Sequence, residues 1–281
     1  MTQAERTMAS TLPSRGEARS PSAVPAPSRR DRALIASCIV LITALAWAYL
    51  VHLNRHMTSP IEGDTMMAAM GMVMNQPWGA GDLLLTFVMW AVMMVGMMAV
   101  PALPVLLLFA GVHAQRVDRG VVPAVPSFGL GYLVAWLGFC ACATAAQWAL
   151  HEGALLSSTM ATSSTSVAGV ILITAGAYQL TPLKTGCLAR CQSPLGFLMS
   201  NWRDGPSGAF RMGFRHGIFC LGCCWALMAV LFVVGVMNLA WVGVLTLFIL
   251  AEKIGPTGAR VSRAGGAILI ALGAVLVSGW A

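Results

Sequence analysis

Residues 83–111 read LLLTFVMWAVMMVGMMAVPALPVLLLFAG, a run that contains no charged side chain. A helix needs about 20 apolar residues to cross the hydrocarbon core of a bilayer. Pro101 and Pro104 lack a backbone N–H, so we expect them to kink or end this second span near its far side. Further apolar runs cover 33–51, 128–150, 167–180, 214–236, 239–254 and 264–281. The sequence therefore predicts an all-α polytopic integral membrane protein with about seven transmembrane helices.

The composition of the whole chain agrees with this class of protein. Of its 281 residues, 58% are hydrophobic and only 10% are charged, whereas soluble chains are about a quarter charged. About seven spans leave room only for short loops, which excludes a separate soluble catalytic domain. Residues 1–32 are rich in Ser, Pro, Ala and Arg, and they are predicted to form a disordered cytoplasmic tail before a helical transmembrane domain, 33–281.

The distribution of basic residues predicts the orientation of the chain. With a cytoplasmic N-terminus, sixteen of the seventeen Lys and Arg residues fall on the inner side, and Arg55 falls outside. Cytoplasmic loops of membrane proteins carry such an excess. Lys184 and Arg190, among others, are therefore expected to act as topology determinants and lipid headgroup contacts. The lipid bilayer then accounts for the net charge of +7, and no nucleic-acid partner is predicted.

Eleven of the eighteen methionines lie between residues 57 and 98. In the second span they recur at four-residue spacing, which places each set on one helical face. Thioether sulfurs are soft, neutral ligands that suit Cu(I), so the stripe is predicted to contact metal, with ordinary core packing as the alternative. One face carries Met89, Met93 and Met97, and the adjacent face carries Met94 and Met98.

The predicted outer loop before this span offers further ligands of the same kind. It is polar enough to be exposed, so packing is a weaker explanation for its methionines than for those of the helix. We expect this loop to collect the metal. Its candidate ligands are His52, His56, Met57, Met66, Met67, Met70, Met72 and Met74.

Five of the eight cysteines cluster around one predicted inner loop, in the segments TPLKTGCLARCQSP (181–194) and FRHGIFCLGCCWALM (214–228). On a helix, the His and three Cys of the second segment stand at i, i+4, i+7 and i+8, within an arc of about 100°. Thiolate and imidazole are the ligands that Cu(I) or Zn favours. The predicted inner metal ligands are Cys187, Cys191, His216, Cys220, Cys223 and Cys224.

The remaining cysteines are assigned structural roles. Cys38, Cys140 and Cys142 lie within apolar spans and are expected to be small buried side chains. Glu252 and Lys253 lie at the inner end of the sixth span, where we expect them to pair with each other, and an ionisable residue at that depth is also a candidate for a functional role.

Four stretches resemble a bacterial family of predicted metal-binding integral membrane proteins that carry a domain of unknown function. They are MWAVMMVGMMAVPALP (89–104), YQLTPLKTGCLARCQSPLGFL (178–198), GAFRMGFRHGIFCLGCCWALM (208–228) and GVMNLAWVGVLTLFILAEKIGPTG (235–258). The resemblance implies a metal-binding protein of the bacterial inner (cytoplasmic) membrane, without implying a particular reaction. A looser likeness, of chemistry and not of ancestry, is to Ctr-type eukaryotic copper transporters, which have three spans where this chain has about seven.

Together, these features predict a protein that handles Cu(I) by binding, transfer or transport, with Zn as the alternative metal. The outer Met/His loop would collect the ion, the methionine stripe would relay it, and the inner cluster would bind it. No phosphate-binding loop and no H-E-x-x-H motif is present, so an enzyme is the less favoured class.

Two other functions fit the same residues. In a membrane thiol–disulfide oxidoreductase, Cys187 and Cys191 would exchange electrons with Cys220 and Cys223. A non-enzymatic assembly factor would instead hand metal to a membrane metalloprotein. A metallochaperone or a membrane metalloprotein is accordingly the expected partner.

Overall fold

The structure is a computed structural model that describes residues 27–58, 78–116, 124–153, 164–255 and 257–278. Every regular element within these ranges is helical, which confirms the all-α prediction. The helices are α1 (Arg29–Thr58), α2 (Ala80–Arg116), α3 (Ala124–Glu152), α4 (Thr165–Gln179), α5 (Pro182–Gln192), α6 (Pro194–Asn201), α7 (Gly205–Ala229), α8 (Leu231–Val234), α9 (Leu239–Ile254) and α10 (Gly258–Ser278).

Five segments of the described chain are long and apolar enough to cross a membrane. They are α1, α2, α3, α7 with α8, and α10. A sixth qualifies if α4 and α5, which meet at a bend of 61°, form one broken span or a re-entrant loop. The described chain therefore shows five or six candidate spans and does not reach the predicted count of about seven.

Two short helices account for this difference in number. The predicted span 167–180 corresponds to α4, which has 15 residues, and 239–254 corresponds to α9, which has 16. At 1.5 Å per residue, each is at most about 24 Å long, which is less than the ~30 Å of hydrocarbon core that a span must cross. Both apolar runs form helices, but hydropathy alone does not distinguish a segment that crosses the whole hydrocarbon core from one that crosses only part of it.

Helix α2 continues through both of its prolines. It has 37 residues with Pro101 and Pro104 inside it, so the helix does not end at the prolines. Each proline removes a backbone N–H and so leaves a carbonyl of the preceding turn without its helical partner. The two prolines also face the pocket described below.

The contact between α3 and α7 is the most extensive between any two helices of the described chain. Glycines make it possible, because a Cβ atom on Gly131 would collide with the Phe210 carbonyl oxygen, and one on Gly213 with the Phe128 carbonyl oxygen. The two backbones thus touch at both positions. Such small-residue contacts fix how one helix is rotated against the other.

Helices α4 and α10 meet through a second set of glycines. A Cβ on Gly176 would lie 2.6 Å from the carbonyl oxygen of Gly266, and one on Gly169 would lie 2.8 Å from that of Gly273. The two pairs are two helical turns apart on each helix, so α4 and α10 are in backbone contact along their length.

The outer surfaces of several helices are apolar. Leu45 on α1, Leu85 on α2, Val170 on α4 and Ile268 on α10 are all largely exposed. Soluble monomers rarely expose large contiguous apolar surfaces. The described surface is therefore compatible with contact to lipid.

The glycine contact between α3 and α7 is open to a direct test. We expect Gly131→Ala to lower the free energy of unfolding by about 1–3 kcal/mol, because the added methyl group overpacks the crossing point. Gly138→Ala, on the same helix but with nothing near its Cβ position, is expected to be neutral or stabilising by about 0.5–1 kcal/mol. Thermal unfolding in detergent, followed by circular dichroism, measures both. Equal effects of the two substitutions would contradict the close approach.

Candidate metal centre

The three cysteines of α7 lie on its buried side, and each is at most 2% exposed. The thiols of Cys223 and Cys224 donate hydrogen bonds to the carbonyl oxygen of Cys220, at 3.0 Å and 2.9 Å. Their sulfur atoms therefore turn back toward the preceding turn of the helix. In this arrangement the Cys224 thiol also lies within hydrogen-bonding reach of the Cys220 and Cys223 thiols.

Helix α5 packs against α7 and adds a fourth sulfur atom to this group. The Cys191 side chain lies close enough to those of Cys220 and Cys223 to interact with both. Cys187, one turn earlier, lies against Gly222, where a Cβ atom would come within 2.9 Å of the Cys187 Sγ. Because Gly222 has no side chain, α5 approaches α7 closely enough for both of its cysteines to reach the cluster.

His216 lies one turn before Cys220 and is 3% exposed. Its ring packs among aromatic side chains, with the ring of Phe197 5.2 Å away between centroids. Its Nδ1 atom is buried and has no hydrogen-bond partner among the described residues. Buried polar atoms are usually satisfied, so an unpartnered imidazole nitrogen beside several thiols fits a ligand for a soft metal ion.

No group of three or more His, Cys, Asp or Glu side chains in the described ranges is already arranged to hold a metal ion. The thiols of Cys223 and Cys224 are hydrogen-bonded to the Cys220 carbonyl oxygen of the same helix, as described above. The donor types suit a soft metal, but these thiols would have to rotate about χ1 before they converged on it.

A pocket of about 210 Å³ opens onto this group of residues. The two prolines of α2 form one wall of the pocket, while α5, α7 and α9 form the others. No carboxylate lines it, so the pocket presents sulfur, imidazole and ammonium groups to whatever enters. Its lining residues from these helices include Pro101, Pro104, Cys191, His216, Cys220 and Lys253.

All five methionines of the α2 stripe are buried in the core, at 2% exposure or less. Thus Met89, Met93, Met94, Met97 and Met98 face the interior of the bundle instead of lipid. This placement is compatible with metal contact and with packing alike. Met98 is the member of the stripe that the described contacts connect to the cysteines.

Two side chains make that connection. The Lys253 Nζ lies 2.8 Å from the Cys220 Sγ and 3.8 Å from the Met98 Sδ. The Tyr132 hydroxyl donates to the Met98 carbonyl oxygen at 3.3 Å and lies 3.1 Å from the Cys220 Sγ. The sequence does not single out Tyr132, and it suggests Glu252 as the partner of Lys253, since helical periodicity gives no information about contacts between helices.

Most of the predicted outer ligands lie outside the residues that the structure describes. His52 is an exposed residue of α1. The side chains of His56 and Met57, and the whole of Met66, Met67, Met70, Met72 and Met74, lie outside the described residues. The outer collecting loop stays a prediction.

The expected pairing of Glu252 with Lys253 is wrong. Lys184 instead donates to both carboxylate oxygens of Glu252, at 2.7 Å and 2.9 Å, and each side chain is 1% exposed. Neighbouring residues on a helix point about 100° apart, so Lys253 is turned toward Cys220. Lys184 is accordingly a buried ion-pair partner and not a surface topology determinant.

This ion pair joins the cysteine-bearing helix α5 to α9. At the other end of α5, the Gln192 side-chain amide donates to the Glu252 carbonyl oxygen at 2.7 Å. Helix α5 is thus held to α9 at its first and last turns. The sequence signal that could have found the pair was an ionisable residue inside an apolar helix, which is costly unless it is paired.

The cysteines outside the cluster differ from expectation. Cys140 is buried, but Cys38 and Cys142 are exposed on the outer faces of α1 and α3. The expectation of burial is therefore wrong for these two residues.

The comparisons with known proteins give one family. A family model described as PpoB2, copper chaperone, matches residues 87–276. The matched range holds the methionine stripe and the whole cysteine cluster, and it excludes α1 and the predicted outer loop. No curated protein and no solved structure matches the chain.

The Lys184–Glu252 pair gives a prediction about stability. We expect Lys184→Met alone to destabilise the protein by about 3–5 kcal/mol, because it leaves Glu252 buried without a partner. The double variant Lys184→Met/Glu252→Leu is expected to recover most of that loss, since two apolar side chains of similar size fill the same space. Thermal unfolding in detergent measures both variants. A double variant as unstable as the single one would show that the ion pair itself is required.

Proposed function

The chain belongs to the PpoB2 copper chaperone family, and on that premise we propose that it is a membrane-integral carrier of Cu(I). It binds the ion through the thiols of Cys191, Cys220 and Cys223 and the imidazole of His216, and it passes the ion to a metalloprotein. The methionine stripe of α2 leads to this cluster from the outer half of the bundle.

The observation that carries the proposal is the meeting of several soft ligands at one accessible pocket. The Cys191 thiol of α5 lies beside the Cys220 and Cys223 thiols of α7, and the buried Nδ1 of His216 has no partner among the described residues. Thiol, thioether and imidazole ligands suit Cu(I), whereas hard cations prefer oxygen. The pocket lined by Cys191, His216 and Cys220 contains no carboxylate.

The surroundings of the cluster suit a monovalent ion. His216 is enclosed by aromatic rings, including those of Phe128 and Phe197, which limits water access on that side. A single ammonium, that of Lys253, stands against the Cys220 sulfur. A Cu(I) ion held by neutral thioethers on its way to the thiols brings only one positive charge into this low-dielectric region.

Membrane integration and orientation belong to the same proposal. The five or six helices that are long and apolar enough to cross a bilayer, together with the exposed leucines of α1 and α10, support a multi-pass protein. The positive-inside rule favours a cytoplasmic N-terminus. That orientation places the cysteine cluster toward the cytoplasmic side, where thiols stay reduced.

A copper-loading experiment tests the proposal. Purified protein in detergent is loaded anaerobically with Cu(I), desalted and analysed for bound metal by mass spectrometry. We expect the wild type to retain copper and the double variant Cys220→Ser/Cys223→Ser to lose at least tenfold in affinity against a chromophoric Cu(I) chelator, because two of its soft ligands are gone.

The matched control is Cys38→Ser/Cys142→Ser. These two cysteines are exposed and lie outside the cluster, so copper retention is expected to equal that of the wild type. Unchanged retention in the Cys220/Cys223 variant would remove the cluster from the binding site. Failure of the wild type to retain copper, together with a reversible disulfide between Cys191 and Cys220 or Cys223, would favour the thiol oxidoreductase instead.

A further inference from the structure

The ammonium of Lys253 stands between two sulfur atoms that belong to different sets of candidate ligands. Its Nζ is 2.8 Å from the thiol sulfur of Cys220 and 3.8 Å from the thioether sulfur of Met98. Cys220 belongs to the cysteine cluster of α7, and Met98 is the last residue of the methionine stripe of α2. One cation therefore occupies the position where the two sets meet.

We propose that this position is a copper site, in which Met98 and Cys220 bind one Cu(I) ion together and the Lys253 ammonium fills the place of the metal until it arrives. The inference rests on the proposed function and deepens it. It makes the methionine stripe and the cysteine cluster one continuous path, with the transfer from thioether to thiolate at Met98 and Cys220.

The chemistry of the two occupants supports the exchange. The ammonium donates to the sulfur lone pairs, and a soft metal ion binds through the same lone pairs. Both occupants carry one positive charge. Cu(I) therefore replaces the ammonium charge for charge at the two sulfur atoms, and the displaced ammonium carries its own charge into the pocket.

The structure also provides room for the displaced side chain. Lys253 and Cys220 both line the pocket of about 210 Å³ beside Pro101 and Pro104. A lysine ammonium is carried on a flexible four-carbon stem. Glu252, the nearest carboxylate in the sequence, is fully engaged by Lys184, so it does not hold Lys253 in place.

Tyr132 fixes the geometry of the junction from the opposite helix. Its hydroxyl bridges the Met98 carbonyl oxygen and the Cys220 sulfur, so one side chain of α3 connects α2 to α7 beside the Lys253 ammonium. The Met98 side chain has three rotatable bonds, so its sulfur can close the longer of the two distances when copper enters.

The two lysines of the chain, Lys184 and Lys253, make a test without any substitution possible. Detergent-purified protein, with and without one equivalent of Cu(I), is treated anaerobically with an amine-acylating reagent, and the modified lysines are quantified by mass spectrometry. We expect Cu(I) to raise the acylation of Lys253 several-fold, because its amine is released into the pocket. Lys184, buried in its ion pair, is the internal control and is expected to stay unreactive in both states.

A second readout follows Met98 itself. In protein labelled with 13C in the methionine methyl groups, the Met98 signal is assigned by its absence in Met98→Leu, and we expect it to shift at the first equivalent of Cu(I). Met98→Leu is also expected to weaken copper binding about tenfold or more and to abolish the change in Lys253 acylation. Met228→Leu, an equally buried substitution on α7, is the matched control and is expected to change neither.

The outcomes separate this inference from the proposed function. If the wild type binds copper while the Met98 methyl signal and the Lys253 acylation stay unchanged, copper lies among the cysteines alone and the joint site is wrong. If the wild type binds no copper, both the joint site and the proposed function are wrong.

Discussion

The backbone contact between α3 and α7 is the constraint on which the rest of the candidate site depends. Gly131 and Gly213 admit no Cβ atom at this crossing, so α7 has little freedom to rotate about its axis. One face of α7 is thereby directed toward α2 and α5, and it is the face that carries the cysteines. Tyr132, next to Gly131, reaches Cys220 only because the two helices are so close.

The buried ion pair between Lys184 and Glu252 adds a second constraint, which acts on α5. A buried pair is costly to desolvate and often contributes less to stability than apolar side chains of the same size. The clearer consequence of the ion pair here is the register of α5 against α9, since the ion pair and the Gln192 hydrogen bond hold α5 to α9 at both ends. That register decides which cysteines of α5 reach the thiols of α7. Stability and the geometry of the candidate site are therefore linked through residues outside the proposed ligand set.

Much of the local structure followed from periodicity, whereas the contacts between helices did not. The spacing of His216, Cys220, Cys223 and Cys224 placed them on one helical face, and in the structure all four are buried. Nothing in that spacing indicates that Lys253, more than 30 positions along the chain, would meet Cys220. The error with Glu252 has the same origin, because its partner lies on another helix.

The count of about seven spans is left unconfirmed for a different physical reason. Hydropathy measures how apolar a run is, but α4 and α9 are too short to cross the hydrocarbon core at 1.5 Å per residue. The chain bends by 61° between α4 and α5, immediately before the segment that carries Cys187 and Cys191. A bent or re-entrant segment brings polar and thiol groups to a depth that a straight span would fill with apolar side chains, and it is tolerated where it is buried in protein.

Under the proposed function the protein must release its metal as well as bind it, and the geometry of the thiols would favour release. A structural zinc site is closed and its ligands are arranged for the metal. Here, the thiols of Cys223 and Cys224 are hydrogen-bonded to the backbone of their own helix. Binding has to break those bonds, each of which contributes about 0.5–1.5 kcal/mol in a folded protein, and release restores them. The pocket beside Pro101 and Pro104 gives an incoming ligand access to the sulfur atoms of Cys191 and Cys220. Metal can then leave by ligand exchange, with the protein's own hydrogen bonds and the Lys253 ammonium taking back the positions that the ion vacates.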